Sequence, residues 1–123
     1  MIAQDKTRHE DLLKQSIAHL EFLGYENIKA DLEGYDHPKT FVKKENNSVI
    51  TPDITAYKRT KKYFFELGIK SNKPTLLKTK WRLLDVVKRM KAQRFKIITT
   101  KGHYSFTNKI LDELNLDKTV MKI

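Results

Sequence analysis

Apolar residues recur at helical spacing near the start of the chain, and Gly24 follows the last of them. The stripe comprises Leu12, Leu13, Ile17, Leu20 and Leu23. This spacing is typical of an amphipathic helix that rests one face on a core. Thr7 and Glu10 also stand in the relation of a capping box. The pattern therefore predicts a helix from Asp5 to Leu23.

The period then changes to two, which is typical of half-buried strands. Only a short charged turn separates two of the apolar segments, and this favours an antiparallel hairpin between them. A turn-rich stretch, 45–48, interrupts the pattern before that hairpin. The segments predicted as strands are 28–32, with 35–43 as its partner or continuation, then 49–58 and 62–70.

The second half of the chain returns to helical spacing at 75–93 and is followed by an apolar run, 94–100, that is typical of a buried strand. A short helix from Ser105 and a last strand at 119–123 complete the pattern. We therefore expect one domain, residues 1–123, of the α/β class. Its mixed β-sheet should be flanked by helices in the order α-β-β-β-α-β-α-β.

Charge is distributed unevenly along the chain. Lys and Arg number 25 against 15 Asp and Glu, a net charge of +10. Residues 58–96 hold fourteen basic and two acidic side chains, whereas residues 1–57 hold seven and ten. If the basic segments are neighbours in space, they form a cationic face suited to a phosphate backbone, with DNA favoured as the partner and RNA as the alternative. The candidate nucleic-acid-binding residues are Lys58, Arg59, Lys61, Lys62, Lys73, Lys78, Lys80 and Arg82.

Composition also excludes several kinds of site. Cysteine is absent, which excludes disulfides, a thiol nucleophile and cysteine-based zinc sites. No apolar run approaches the roughly 18 residues of a membrane span. Acidic residues stand where a signal peptide would be apolar. We therefore expect a cytoplasmic protein with no membrane partner.

Asp53 and Glu66 are the candidate chemical groups, because they lie on the two strands of the predicted hairpin. Side chains alternate between the faces of a strand, so both carboxylates are expected on one face. Two adjacent carboxylates repel each other unless a cation neutralises them, and Mg²⁺ prefers oxygen ligands. An ion pair between Glu66 and Lys70 is the rival interpretation. Turn chemistry after Pro52 is the rival for Asp53.

Pro52-Asp53, followed thirteen residues later by Glu66 in the apolar strand YFFELGIK, resembles the signature of the PD-(D/E)XK nuclease superfamily. That superfamily includes restriction-endonuclease-like folds and Holliday-junction resolvases, and its core has the element order predicted for most of this chain. The resemblance implies a restriction-endonuclease-like fold and hydrolysis of DNA phosphodiester bonds. It also implies Mg²⁺ or Mn²⁺ held by Asp53 and Glu66, with the Leu67 carbonyl as a further ligand.

The sequence departs from the family pattern at Gly68, where family members carry a lysine two residues after the glutamate. We expect Lys70, the next residue on that face, to serve as the catalytic lysine. The alternatives are a lysine from the following helix, Lys80 first, or a site that no longer cleaves. Glu10 is a further candidate metal ligand at the end of the first helix, with helix capping as its rival role.

Three functions follow from these residues. The first is a Mg²⁺-dependent endonuclease with Asp53, Glu66 and Lys70 as catalytic residues. The second is a catalytically inactive nuclease-fold protein that binds nucleic acid, which Gly68 favours. The third is a basic RNA- or ribosome-associated domain in which the two acids only pair with lysines. The family resemblance leaves a homodimer open, and no residue establishes its interface.

Overall fold

The computed structural model describes residues 1–43, 48–116 and 120–123. Positions 45–47 of the predicted turn and Thr119 lie outside these residues. The helices are α1 (Ala3–Arg8), α2 (Glu10–Phe22), α3 (Pro74–Met90) and α4 (Tyr104–Glu113). The strands are β1 (Glu26–Ala30), β2 (Phe41–Lys43), β3 (Ser48–Ile50), β4 (Ile54–Lys58), β5 (Lys61–Gly68), β6 (Arg94–Thr99) and β7 (Val120–Lys122).

Five strands form one mixed sheet in the order β1-β4-β5-β6-β7, and β2 pairs with β3 in a separate two-stranded sheet. β4 and β5 pair antiparallel, as the predicted hairpin requires, and β1 pairs antiparallel with β4. β6 and β7 continue the sheet in parallel. A parallel neighbour needs a crossover, and α3 and α4 supply the two crossovers. The mixed α/β class predicted from the sequence is therefore confirmed.

Each face of the large sheet has its own apolar core. Phe65, Leu67 and Ile69 lie in the core that includes the apolar stripe of α2. Phe64 lies in the other core with Trp81 and the buried apolar residues of α3 and α4. This is the alternation expected along β5, and it assigns Glu66 to the α3 face of the sheet.

The first helix differs from its prediction because it breaks at His9, whose φ of −122° and ψ of 32° are not helical. Thr7 lies inside α1, and neither Ile2 nor His9, the two N-cap residues, makes a side-chain capping bond. The predicted capping box is therefore wrong. The short α1 brings Lys6 to Asp53, the residue that precedes β4.

The predicted strand 49–58 also differs, because it divides at Pro52 into β3 and β4. Proline has no N–H to donate to a strand ladder, so the chain changes sheets at this point. Segment 35–43 contributes only β2, which pairs with β3 and not with β1. The described elements thus run α1-α2-β1-β2-β3-β4-β5-α3-β6-α4-β7, and the small β2–β3 sheet is an addition to the expected order.

Within these described residues, no helix is both long and apolar enough to cross a bilayer.

Candidate functional site

The two candidate carboxylates meet where β4 begins and β5 nears its end. β4 and β5 pair with Ile54 opposite Phe65, so continuing the register by one residue brings Asp53 opposite Glu66. The Asp53 backbone N–H donates to Glu66 Oε2 at 2.8 Å, and the Leu67 N–H donates to Asp53 Oδ2 at 2.8 Å. Asp53 lies in a bend after Pro52 and interrupts the strand, yet the pairing still holds both acids together.

Both carboxylates are completely buried. A buried charge costs free energy unless it is paired and hydrogen-bonded. The pairing here uses several donors, and their number explains why two acids coexist inside the protein. We call Asp53, Glu66 and the groups that contact them the carboxylate cluster, whose other members are Met1, Lys6, Lys80 and Trp81.

Lys80 enters the carboxylate cluster from α3. Its Nζ lies 3.2 Å from Asp53 Oδ1 and 3.1 Å from Glu66 Oε2, and it also donates to the Met1 carbonyl. Leu77, Trp81 and Leu84 form the buried stripe of α3, and Lys80 falls on the same side at helical spacing. Its side chain is 13% exposed. One cation therefore bridges both acids from the crossover helix.

The remaining contacts come from the start of the chain and from an indole. The Met1 amino group bonds to Asp53 Oδ2 and lies 2.9 Å from Glu66 Oε1. Lys6 Nζ, from α1, lies 3.6 Å from Asp53 Oδ1. Trp81 donates its Nε1–H to Glu66 Oε1 at 3.1 Å. Neither Met1 nor Lys6 was a candidate from the sequence.

These contacts fix the charge states of the carboxylate cluster. Burial alone would raise the pKa of Asp53, but the positive charges of Lys80, the Met1 amino group and Lys6 outweigh it and hold that pKa far below its ordinary value. Burial alone would lower the pKa of Lys80, but Asp53 and Glu66 outweigh it and raise that pKa above 10.5. Asp53 is thus an anion and Lys80 a cation at neutral pH.

Gly68 occupies the position of the family lysine, and α4 fills the space that a side chain would need. A Cβ built on Gly68 would lie 2.4 Å from Thr107 Oγ1, 2.7 Å from Thr107 Cγ2 and 3.1 Å from Ile97 Cγ2. The Thr99 hydroxyl donates to the Gly68 carbonyl at 2.6 Å. A lysine at this position therefore has no room, because α4 packs directly on the glycine.

Lys70, the lysine favoured from the sequence, lies beyond the end of β5 with an exposed side chain. Its backbone N–H donates to His103 Nδ1 at 2.9 Å. Burial is the main cause that lowers the pKa of His103, and the charges of His9 and Lys70 lower it further. Among the described residues, Lys70 makes no ion pair with Asp53 or Glu66, so the rival ion pair of Glu66 with Lys70 is not formed. The alternative lysine, Lys80, makes both contacts.

Glu10, the further metal candidate, is exposed at the first position of α2 and lies outside the carboxylate cluster. The buried acid of this region is Asp5, which is 7% exposed and whose Oδ2 has no hydrogen-bond partner among the described residues. Leu67, the other ligand implied by the resemblance, is buried beside Asp53. The N–H and C=O of one strand residue point toward the same neighbouring strand, so the Leu67 carbonyl faces the side on which Asp53 lies.

The predicted basic residues separate into two regions. Lys58, Arg59, Lys61 and Lys62 lie at the turn between β4 and β5, at the other end of β5 from Glu66. Lys73, Lys78, Lys80 and Arg82 lie at the start and in the first half of α3. Lys78 pairs with Glu113 of α4. The predicted cationic face is therefore not one continuous run of these side chains.

The carboxylate cluster can hold a cation between two anionic side chains and present a lysine beside it. No group of three or more His, Cys, Asp or Glu side chains in the described ranges could hold a metal ion, so further ligands would be carbonyls or water. The sequence signal for Lys80 was its place inside an apolar stripe, where a lysine needs a buried partner. Comparisons of the chain with protein-family models, curated proteins and solved structures give no match.

Proposed function

We propose that this protein is a metal-dependent endonuclease that hydrolyses DNA phosphodiester bonds, with Asp53 and Glu66 as metal ligands and Lys80 as the catalytic lysine. The convergence of two buried carboxylates and a largely buried lysine is the observation that carries the proposal. The sheet order supports it too, because the acids lie on the β4–β5 hairpin and α3 crosses directly from β5 to β6. That arrangement fits the restriction-endonuclease-like fold implied by the resemblance.

The oxygen atoms of Asp53, Glu66 and Leu67 are suitable ligands for a hard divalent ion. The Met1 amino group bonds to one oxygen of Asp53 and one of Glu66, so the two carboxylates reach a single cation between them. Mg²⁺ and Mn²⁺ prefer carboxylate and carbonyl oxygens, and the Leu67 carbonyl is a third donor on that side. A metal ion and the Met1 amino group would compete for this position. A bound ion would polarise a phosphate oxygen of the substrate and lower the pKa of a bound water.

The chain's own groups then have distinct roles. Asp53 and Glu66 hold the position of the ion because backbone N–H groups and the Trp81 indole fix their oxygens. The Lys80 ammonium binds a phosphate oxygen and stabilises the negative charge that develops there. A cleft of about 510 Å³ is lined by Met1, Lys6 and Lys80, and it gives a phosphate access to these three cationic residues of the carboxylate cluster.

Nicking of supercoiled DNA in Mg²⁺ or Mn²⁺ tests this function. We expect Glu66→Gln to lose cleavage by at least about a hundredfold, because a metal ligand is removed, and Lys80→Met to lose a similar factor. Lys70→Met is the matched control, since it removes an exposed lysine from the neighbouring loop, and it should cleave like wild type. RNA of the same sequence is tested in parallel.

Metal binding is measured separately by calorimetry with Mn²⁺, so that the site is tested without relying on turnover. Wild type should bind the ion and Glu66→Gln should not. Equal activity of wild type and Glu66→Gln would contradict the proposal. Loss of cleavage in Lys70→Met with retention in Lys80→Met would instead return the catalytic role to Lys70.

A catalytically inactive nucleic-acid-binding protein is the second candidate. The observation that favours it is that Lys80, Lys6 and the Met1 amino group already neutralise both acids within the chain. Wild-type protein that binds DNA but neither binds Mn²⁺ nor cleaves any substrate would support this candidate.

A further inference from the structure

Four lysines from four segments gather around Lys62, near the start of β5. Lys29 belongs to β1, Lys39 precedes β2, Lys62 belongs to β5, and Lys91 is the C-cap residue of α3. We call them the lysine patch. Only Lys62 was a candidate binding residue from the sequence, and the other three lie far from it along the chain.

Strand register places two of these lysines on the α3 face of the sheet. Lys62 pairs with Tyr57 across β4 and β5, and its Nζ lies 5.9 Å from the centre of the Tyr57 ring. Lys29 pairs with Thr55, two residues from Tyr57 and therefore on the same face. Glu66 lies on this face as well, four residues from Lys62 along β5.

Aromatic contacts bring Lys39 to the same place. Its Nζ lies 5.7 Å from the centre of the Phe41 ring, and that ring packs edge-on against Phe64 at 5.5 Å. Phe64 is two residues from Lys62 on the same face. Lys91 arrives at the end of α3, the helix that covers this face of the sheet.

Two independent measures give the distance from the patch to the carboxylate cluster. Lys62 and Glu66 are four residues apart on β5, which corresponds to about 13 Å at the rise of a strand. Lys80 and Lys91 are eleven residues apart, which along a helix corresponds to about 16 Å. β5 and α3 run in opposite directions on one face of the sheet. Each therefore connects the carboxylate cluster at one end with the lysine patch at the other.

The lysine patch is not neutralised by the rest of the described chain. Within residues 1–43, 48–116 and 120–123, none of its four side chains forms an ion pair with an acidic residue. Partial burial lowers the pKa of Lys62, and the charges of Lys39, Lys29 and Lys91 lower it further. Four cations that repel one another favour the binding of an anion between them.

We propose that the lysine patch binds backbone phosphates of the same DNA duplex whose scissile phosphate lies at the carboxylate cluster. The separation of about 13 Å corresponds to about four nucleotide steps at 3.4 Å per step on one strand. This inference rests on the proposed function and adds to it the direction of the substrate, which runs from the end of α3 that carries Lys80 toward the end that carries Lys91. The contacts are to phosphates, so they position the duplex without reading its sequence.

The opposite side of the sheet provides a control. Lys96 lies over the Tyr63 ring at 5.5 Å, and Lys14 is exposed on α2. Tyr63 packs against the core on the α2 side. Lys14 and Lys96 are thus cations on the side of the sheet away from the carboxylate cluster.

The test is the salt dependence of binding to a fluorescent DNA duplex, measured in Ca²⁺ for Lys62→Gln/Lys91→Gln and for Lys14→Gln/Lys96→Gln. We expect the slope of log affinity against log salt to fall by about two in the patch variant and to stay unchanged in the control. Lys62→Arg/Lys91→Arg should keep the wild-type slope.

An unchanged slope in the patch variant, or an equal fall in both double variants, would overturn the inference. Circular dichroism melting curves check that each variant is folded. The two proposals can fail separately. If the slope falls in the patch variant but wild type does not cleave DNA, only the nuclease function is rejected. If wild type cleaves DNA but the slope of the patch variant is unchanged, only the binding role of the lysine patch is rejected.

Discussion

Glu66 illustrates how a single buried residue depends on its donors. Its Oε1 accepts from the Trp81 indole at 3.1 Å and from the Met1 amino group at 2.9 Å, while Oε2 accepts from the Asp53 N–H at 2.8 Å. A carboxylate has about four acceptor positions, and this one uses most of them. Removing one donor leaves a buried charge with an unmet hydrogen bond, which is costly.

Trp81→Phe tests this dependence at the residue scale. The variant keeps an aromatic ring in the core but loses the Nε1–H donor, so we expect the free energy of unfolding to fall by about 2–3 kcal/mol. In a Glu66→Gln background the same change should cost less, because the acceptor is no longer charged. Urea unfolding followed by circular dichroism measures both. Equal costs in the two backgrounds would show that the indole acts only by packing.

At the scale of elements, the contact between β5 and α4 explains why no lysine can stand at position 68. Gly68 allows Thr107 of α4 to approach the strand closely, and Thr99 of β6 bonds to the glycine carbonyl. Because no lysine side chain fits at position 68, the positive charge beside the two acids must come from another element. α3 supplies it because its buried stripe faces the same side of the sheet as Glu66.

Gly68→Ala tests the contact between these two elements. The added methyl group overlaps Thr107, so we expect a loss of about 1–3 kcal/mol in the free energy of unfolding. Thr107→Ala removes both overlapping atoms, and the double variant should therefore be destabilised by less than the sum of the single variants. Thermal and urea unfolding measure the cycle. Strict additivity would contradict the close packing of α4 on Gly68.

At the scale of the whole molecule, the carboxylate cluster links α1, β4, β5 and α3 through charge. Its members lie far apart in sequence, with Met1 and Lys80 contacting the same two acids. Breaking such a pair by removing one partner leaves an uncompensated buried charge, which typically costs about 3–5 kcal/mol. The stability of the fold and the chemistry of the site therefore depend on the same ion pairs.

The pH dependence of stability tests this linkage. Asp53 has a lowered pKa, so its contribution is complete above its ordinary value of 3.8 and is lost as pH falls through the lower folded value. Lys80 has a raised pKa, so its contribution is complete below 10.5 and is lost as pH rises through the higher folded value. We expect these two contributions to stay constant between these limits.

Lys80→Met should shift the acid limit upward, because Asp53 loses the largest charge that lowers its pKa. Urea midpoints in chelator, measured from acid to neutral pH for wild type, Lys80→Met and Lys70→Met, give the comparison. Lys70→Met should follow wild type. An acid limit that is the same in all three proteins would show that Lys80 does not stabilise the Asp53 anion.

Many features of this fold can be predicted from local patterns in the sequence. The helical stripes, the β4–β5 hairpin and the alternation along β5 are properties of near neighbours, because side-chain direction repeats every 3.6 residues in a helix and every two in a strand. The same alternation brought Asp53 and Glu66 to one face. The break at Pro52 also has a local cause, because proline cannot donate a hydrogen bond to a strand ladder. The alternating pattern nevertheless predicted one continuous strand there.

Only the tertiary structure decided which lysine completes the site and where the positive charge collects. Lys70 is near Glu66 in sequence, yet the end of β5 directs it toward His103, while Lys80 reaches both acids through the crossover of α3. Lys29, Lys39, Lys62 and Lys91 likewise meet only through the sheet register and helix packing. Local periodicity determines the face on which a side chain lies, but the packing of distant elements determines what that face meets.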